Sequence, residues 1–246
     1  MRKSVHVLAP TGMVAIANGG QTTWSFAGWT PNTHKLNLSE LRGSAQKPAL
    51  LQRLRDAETI IIDEISMVEG AHFERLNRIM KAAYSPFDKK STLPFGGTQI
   101  IVTGDFCQLP PVKPFCHCFE CGSDLVPNRR EDMYTCPNQE CGASYRDDEK
   151  WAFKTRAWDE SSFRHVYLNT VYRQQDPEFI KLLQKCRLGL QLSDSEIRLL
   201  ASCDTELNKQ AVKLYPTRDE VRKINDAAFR RLESPAQTYK CVDVFL

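Results

Sequence analysis

The sequence predicts an α/β fold built on a mainly parallel sheet. Three observations carry that expectation. Short apolar runs of strand type recur at residues 4–8, 60–62 and 99–103. Segments with helical spacing lie between and after them. Clusters of Gly, Pro and Asn punctuate the transitions.

The first strand, 4–8, ends at Ala9-Pro10-Thr11-Gly12. Residues 13–17 can start a short helix, which Asn18-Gly19-Gly20 stops. Pro31, Asn32, Asn37, Gly43 and Pro48 mark 30–48 as loop with room for one short helix; Leu50, Leu51 and Leu54 suggest the next helix. The three isoleucines at 60–62 form the short, β-branched run that parallel sheets bury. Phe73, Leu76, Ile79, Met80 and Ala83 follow helical spacing, ended by Pro86 and the Pro94-Phe95-Gly96-Gly97 turn. After the strand at 99–103 the chain turns polar, turn-rich and cysteine-rich, so 113–150 reads as an insertion.

Val166-Tyr167-Leu168 resumes the strand pattern. Asp176 can cap a helix whose apolar face is Phe179, Ile180, Leu182, Leu183 and Cys186, closing near Gly189. Ser193 and Glu196 form a capping-box pattern ahead of Ile197, Leu199 and Leu200. Residues 211–215 read as a strand. Residues 217–233 read as a helix with Val221, Ile224, Ala228, Phe229 and Leu232 on one face. The expected division is a first domain over 1–165, interrupted by 113–150, and a second beginning at 166 and continuing to 246.

A length of 246 residues allows one large domain or two small ones. The composition, 41% hydrophobic and 26% charged, is enough for a packed core and argues against wholesale disorder. A net charge of +3 is too mild to argue nucleic-acid binding by itself. No apolar run approaches the ~18 residues of a membrane span. Met1-Arg2-Lys3-Ser4 is a basic start, but His6, Pro10 and Gly12 interrupt the apolar stretch after it, and no signal peptide is read.

Two of the strands end in carboxylates. Asp63 and Glu64 follow the isoleucines, and Gly104-Asp105-Phe106-Cys107-Gln108-Leu109-Pro110-Pro111 follows the strand at 99–103. At the carboxyl end of a parallel strand, consecutive acids can do different work: one holds Mg²⁺ through water, the other polarises an attacking water. Gly104 lets the strand end turn sharply, and the Gln108 amide can bond a γ-phosphate or its attacking water. Alone, the acid pair favours function only modestly over a strand ending in two solvated acids, and Gln108 alone is more simply an ordinary surface amide. Together, in this order, they describe an ATPase edge.

These blocks resemble a known family. Asp63-Glu64-Ile65-Ser66-Met67, Pro94-Phe95-Gly96-Gly97-Thr98-Gln99-Ile100 and Gly104 to Pro111 are similar to the petite-integration-frequency family of superfamily 1 DNA helicases. Ala9-Pro10-Thr11-Gly12-Met13-Val14-Ala15 resembles its motif Ia, and Thr22 to Gly28 the DNA-contacting block after it. Leu168-x-x-Val171-Tyr172-Arg173-Gln174 resembles motif IV, and Tyr215-x-Thr217-Arg218 with Asn225 a second-domain DNA block.

The resemblance implies tandem RecA-like domains of the P-loop NTPase type, with ATP and Mg²⁺ as cofactors. It implies 5′-to-3′ movement on single-stranded and forked DNA. Asp63 would hold Mg²⁺ and Glu64 would be the base. Gly104, Asp105 and Gln108 would form the sensor, and Arg173 the arginine finger. Thr11, Gly12, Ser25, Phe26, Thr217, Arg218 and Asn225 would meet DNA, with Trp24 or Phe26 as a stacking surface; for these aromatics, core packing is the competing reading. It also implies roles in telomere maintenance, repair and recombination, in the nucleus first and the mitochondrion second.

The chain departs from the family pattern in places. Trp24 stands where the family usually has histidine. None of the twelve glycines is followed by lysine, so G-x-x-x-x-G-K-[ST] is missing. The sequence therefore reads as the middle of a helicase, its first RecA-like domain incomplete and its second only begun, with little ATP hydrolysis expected of it alone. A sheet without its P-loop strand is expected to expose a neighbour's edge. The competing expectation is a non-catalytic, transposon-derived remnant that binds DNA or protein.

Five of nine cysteines crowd into the insertion. Cys118-x-x-Cys121-Gly122 and, with fourteen residues (122–135) between Cys121 and Cys136, Cys136-x4-Cys141-Gly142 are two turns that can converge four thiolates on a structural Zn²⁺. Cys116 and His117 are spare candidates. Arg129-Arg130 beside the knuckles reads as a solvated turn.

Overall fold

The computed structural model describes residues 4–128, 130–201, 212–234, 237–238 and 240. The chain divides into two compact units, 1–190 and 191–246.

The first unit is built on a four-stranded parallel sheet in the order β2-β1-β3-β4: β1 is Val5–Ala9, β2 Gln21–Thr22, β3 Thr59–Ile62 and β4 Gln99–Val102. The registers align Leu8 with both Gln21 and Ile62, and Ile62 with Val102. All four strands therefore run out at one carboxyl edge, where open α/β sheets place their ligands. Ile60 and Ile62 are fully buried, and Ile61 between them is half-buried. The run at 99–103 is less enclosed than a buried strand: β4 is an edge of the described sheet, and Ile101 is 40% exposed.

Helices cover the sheet. α1 (Gly12–Ala17) starts at Thr11, whose Oγ1 accepts the Val14 amide, and α2 (Thr23–Ala27) starts at Thr22 in the same way. α3 (Leu38–Ser44) has the capping box Asn37/Glu40, and α4 (Pro48–Asp56) begins on proline. α5 (Gly70–Ala82) carries the expected spacing: Phe73, Leu76, Ile79 and Met80 are all buried. Each such side chain contributes roughly 1.5–3 kcal/mol.

The Pro94-Phe95-Gly96-Gly97 turn closes this core. Phe95 is fully buried against Phe73, its backbone left-handed at φ 49°, and its N–H donates to Asn77 Oδ1 at 2.8 Å. Gly96 is required there, because a Cβ would lie 2.7 Å from the Tyr84 ring.

The insertion folds as a ribbon of three antiparallel strands, β5 (Val126–Asn128), β6 (Met133–Thr135) and β7 (Ser144–Arg146). The unit ends with α6 (Arg156–Ser161) and α7 (Pro177–Leu188), the latter capped by Asp176 and closed at left-handed Gly189. Only Leu182 of α7 is buried; Leu183 and Cys186 of its expected apolar face are exposed.

The second unit contains α8 (Asp194–Ala201), with the Ser193/Glu196 bonds in place, and α9 (Arg218–Phe229), capped by Thr217 and ending before the expected 233. Two expected strands are not formed. Among the described residues, 166–168 pair with no strand, and Leu168 is 91% exposed. Residues 212–215 are likewise irregular, and Ala211 lies outside the described residues. An apolar run becomes a strand only where a neighbour supplies its hydrogen bonds. No described helix is long and apolar enough to cross a membrane.

Candidate active site and metal centre

Asp63 emerges from β3 beside Thr103, the residue after β4. Its Oδ1 accepts from the Thr103 hydroxyl at 2.5 Å and from the Glu64 amide at 2.9 Å; its Oδ2 accepts from Asn18 Nδ2 at 2.7 Å. The Thr103 bond, with lesser help from Asn18 and the Glu64 amide, holds the carboxyl below its ordinary range against the opposing effect of burial. A carboxylate has about four lone-pair directions. Three are used, so one remains for a further donor such as a Mg²⁺-bound water.

Glu64 is half-buried and sits in the left-handed region at φ 54°. That conformation costs a non-glycine residue on the order of 1–2 kcal/mol. Its carboxylate has no hydrogen-bond or ion-pair partner among the described residues. A strained residue with an unengaged acid is the pattern of a working group.

Gly104 has φ 153°, and a Cβ there would meet the Ile65 nitrogen at 2.9 Å. The glycine thus brings the two acidic turns into backbone contact, fixed by the Ile65 amide donating to the Thr103 carbonyl at 2.9 Å. Asp105 then accepts from the Cys107 amide, from Gln108 Nε2 at 3.0 Å, and from Arg187 of α7 in a two-point pair at 2.6 and 2.8 Å. Arg187 is the main reason the Asp105 carboxyl is depressed to about 2. The exposed Gln108 is left with its carbonyl oxygen free to accept.

In the ribbon, four sulfurs converge. Those of Cys118, Cys121, Cys136 and Cys141 lie within 4.8 Å of one another, with Cys118–Cys141 at 3.6 Å and Cys121–Cys136 at 3.4 Å. Thiolates about 2.3 Å from a tetrahedral zinc stand about 3.8 Å apart, so the donor set fits that ion. Ser123 lowers the Cys121 thiol to about 6 through its hydroxyl and backbone. The spare candidates are placed elsewhere: Cys116 Sγ faces the Lys113 carbonyl, and His117 Nδ1 pairs with Asp124 at 2.7 Å.

The cluster is clamped to the sheet domain. The Arg75 guanidinium donates to the carbonyls of Thr33, Leu36, Cys118 and Phe119 at 3.1–3.3 Å. Gly122 presses on the Lys35 carbonyl, where a Cβ would come within 2.2 Å.

Comparison with known proteins fits this geometry. The model of the family described as "PIF1-like helicase" matches residues 1–117. A curated relative, the ATP-dependent DNA helicase PIF1 of Danio rerio, is 30% identical over 98% of this chain and 32% of its own length. Over residues 1–117 the chain is similar to the PIF1-like helicases.

The crystal structure of Pif1 helicase from Candida albicans superposes with a TM-score of 0.70 at 29% identity, covering 95% of this chain and 45% of that one. Pif1 from Bacteroides, in complex with ADP-AlF3 and single-stranded DNA, gives 0.64 at 27% identity, covering 96% and 49%. The chain thus spans about a third of the curated relative's length and about half of the solved chains.

On this PIF1-like frame the expected residues separate into groups. Asp63, Glu64, Gly104, Asp105 and Gln108 share the carboxyl edge with Thr11, Gly12 and the exposed Ser25. Phe26 does not: it is fully buried against His6 at 5.1 Å between rings, so it packs the core and offers no face to a base. Arg173 is exposed in an irregular stretch and touches none of the edge acids; the arginine that reaches them is Arg187. Thr217, Arg218 and Asn225 belong to the second unit, on α9 and its cap. Asn18, Thr103 and Arg187 went unread in the sequence. Of these, only Thr103, immediately before Gly104, carried a local signal.

Proposed function

We propose that this chain supplies the hydrolytic edge and the single-strand contacts of an ATP-driven DNA helicase moving 5′ to 3′. One observation carries the reading: Asp63, Glu64 and the Asp105–Gln108 pair stand side by side at the carboxyl edge that also presents Thr11 and Ser25.

Asp63 keeps its charge and one remaining lone pair for water-bound Mg²⁺, which neutralises phosphate charge when present. Glu64 accepts a proton from the attacking water. Gln108, its amide nitrogen anchored on Asp105, directs its carbonyl oxygen to that water. Arg173 supplies positive charge to the γ-phosphate. Thr11, Gly12, Ser25, Thr217, Arg218 and Asn225 meet the phosphates of single-stranded or forked DNA. Cys118, Cys121, Cys136 and Cys141 bind a structural Zn²⁺, since four thiolates leave no open position. The place of work is the nucleus.

A second reading has one observation in its favour. No glycine in residues 1–246 is followed by lysine, so the segment contains no phosphate-cradling P-loop. On that reading the chain binds DNA without turnover. The test is to place residues 1–246 behind the P-loop segment of the Candida albicans relative and measure ATP hydrolysis. We expect turnover that single-stranded DNA stimulates and Glu64→Gln abolishes, and negligible turnover from residues 1–246 alone. A folded fusion with no DNA-stimulated hydrolysis would overturn the first reading in favour of the second.

A further inference from the structure

We propose that the groove at the amino end of the sheet docks an acidic segment of a partner protein, whose carboxylates pair with Arg42, Arg55, Arg78 and Arg156. The site lies away from the hydrolytic edge and does not depend on the reading of that edge.

The groove measures about 860 Å³ and is walled by residues of α3, α4, α5 and α6. Its place follows from the connections. α4 leads into the amino end of β3. α5 returns from the carboxyl end of β3 and finishes beside α4, where Arg55 Nε donates to the Ala83 carbonyl at 2.7 Å. Asp63 and Glu64 follow the opposite end of β3.

Charge is the first argument. Arg42, Arg55, Arg78, Lys81 and Arg156 line the groove against two carboxylates, Glu74 and Glu160. That excess of three positive charges equals the net charge of the whole chain, +3. A mild average therefore conceals a local positive field, which draws anionic partners. Both carboxylates are already engaged. Glu74 accepts from Arg78 Nε at 3.1 Å and from the Ala157 amide at 2.8 Å; Glu160 accepts from Lys81 at 2.5 Å and from Arg156 Nε at 2.6 Å. They position the cations and leave the excess uncompensated.

Open donors are the second. Arg55, Arg78 and Arg156 spend only Nε in hydrogen bonds, and Arg42 spends nothing among the described residues. Their Nη groups remain for a ligand, and a guanidinium edge meets a carboxylate in two parallel hydrogen bonds. Helix ends favour cations, which accounts for Arg42, Arg55 and Lys81 in last turns. It does not account for Arg156, in the first turn of α6, where the helix dipole disfavours positive charge.

The third argument selects a peptide over a nucleic-acid strand. Single-strand sites offer open aromatic faces to the bases. The Tyr84 ring in this groove is already flanked by Arg55 and Lys90, 5.8 and 5.0 Å from its centroid.

The experiment measures labelled hexaglutamate against hexaglutamine by fluorescence anisotropy on residues 1–246, with labelled oligothymidylate in parallel. We expect hexaglutamate alone of the two peptides to bind, and added salt to weaken it. The double variant Arg42→Glu, Arg156→Glu should weaken it about tenfold, since each change replaces an attraction by a repulsion. Arg230→Glu, the same change of charge in the second unit, should cost less than about twofold. Oligothymidylate affinity should be unmoved by the double variant. Equal binding of the two peptides, or equal losses in the double variant and Arg230→Glu, overturns the groove as a docking site. Loss of oligothymidylate affinity in the double variant overturns the choice of partner and makes the groove a nucleic-acid surface. Should the double variant not fold, Arg42→Gln, at an exposed side chain with no described partner to lose, should still weaken hexaglutamate a few-fold, and an unchanged affinity overturns the proposal.

Discussion

The carboxyl edge of the sheet and the cysteine ribbon treat their polar groups in opposite ways. At the edge, groups are left partly open. Glu64 is strained and unpartnered, and Gln108 has a free carbonyl oxygen. In the ribbon, groups are turned on one another. Four sulfurs face a common centre, and the Tyr145 hydroxyl sits 3.3 Å from Cys118 Sγ while accepting the Phe119 amide. The contrast is between an edge that leaves polar groups unsatisfied and a ribbon that turns its groups on one another to hold shape. The edge can afford its strain because a large apolar core, including Ile60, Ile62, Phe73 and Phe95, lies beneath it. The ribbon's own core is small, centred on Phe115, Cys118, Leu125 and Cys136.

The strongest way to break this contrast is to remove the metal. Metal analysis should find about one zinc per chain, and chelation should abolish hydrogen-exchange protection across 116–146 while leaving β1, β3 and α5 protected. The expected effect is large, because structural zinc in small domains is worth on the order of 10 kcal/mol. A zinc-free protein with a protected ribbon would show that the sulfurs do not organise it.

Arg75 gives a sharper cut at the seam. Its guanidinium serves two carbonyls of the sheet domain and two of the first knuckle; Arg75→Leu removes a donor from each, leaving backbone donors only at Thr33 and Cys118. We expect a loss of about 3 kcal/mol in urea unfolding. Glu64→Gln, at a side chain with no described partner, should change stability by less than about 0.5 kcal/mol. Equal costs at the two positions would erase the distinction between a closed seam and an open edge.

The same contrast explains what could be read from the sequence. The clustering of the sulfurs was legible because the four cysteines come in two local turns, Cys118-x-x-Cys121 and Cys136-x4-Cys141, which can bring them together. Asp63, Glu64 and Gln108 were legible because each follows an apolar strand in a recognisable block. Their supports were not: Asn18 reaches Asp63 across 45 residues, and Arg187 reaches Asp105 across 82. Such pairings depend on the finished fold. Strand expectations at 166–168 and 212–215 failed for a related reason, since pattern marks an apolar run but not the neighbour that must pair with it. Phe26 shows the limit for aromatics. A ring in a DNA-contacting block and a ring in the core look alike until burial is known.

The smallest effect expected concerns how the Asp105–Gln108 turn is held. Arg187 depresses the Asp105 carboxyl to about 2, against an ordinary value of about 3.9. A group whose folded pKa is lowered adds stability at pH values above its unfolded pKa, and that stability is lost as pH falls through the folded value. The Asp105–Arg187 pair should therefore contribute fully above about pH 4 and fade toward pH 2. In Arg187→Ala, the Asp105 carboxyl, followed by carbon NMR, should titrate close to its ordinary value. The Gln108 amide resonances should then shift with it near pH 4, because Gln108 Nε2 donates to the same carboxylate. At neutral pH the stability change should be slight, since the side chains of Arg187 and Asp105 are 34% and 19% exposed and water screens the pair. An Asp105 titration unmoved by the substitution would mean that the Asp105–Gln108 turn holds its own charge and that α7 merely lies alongside it.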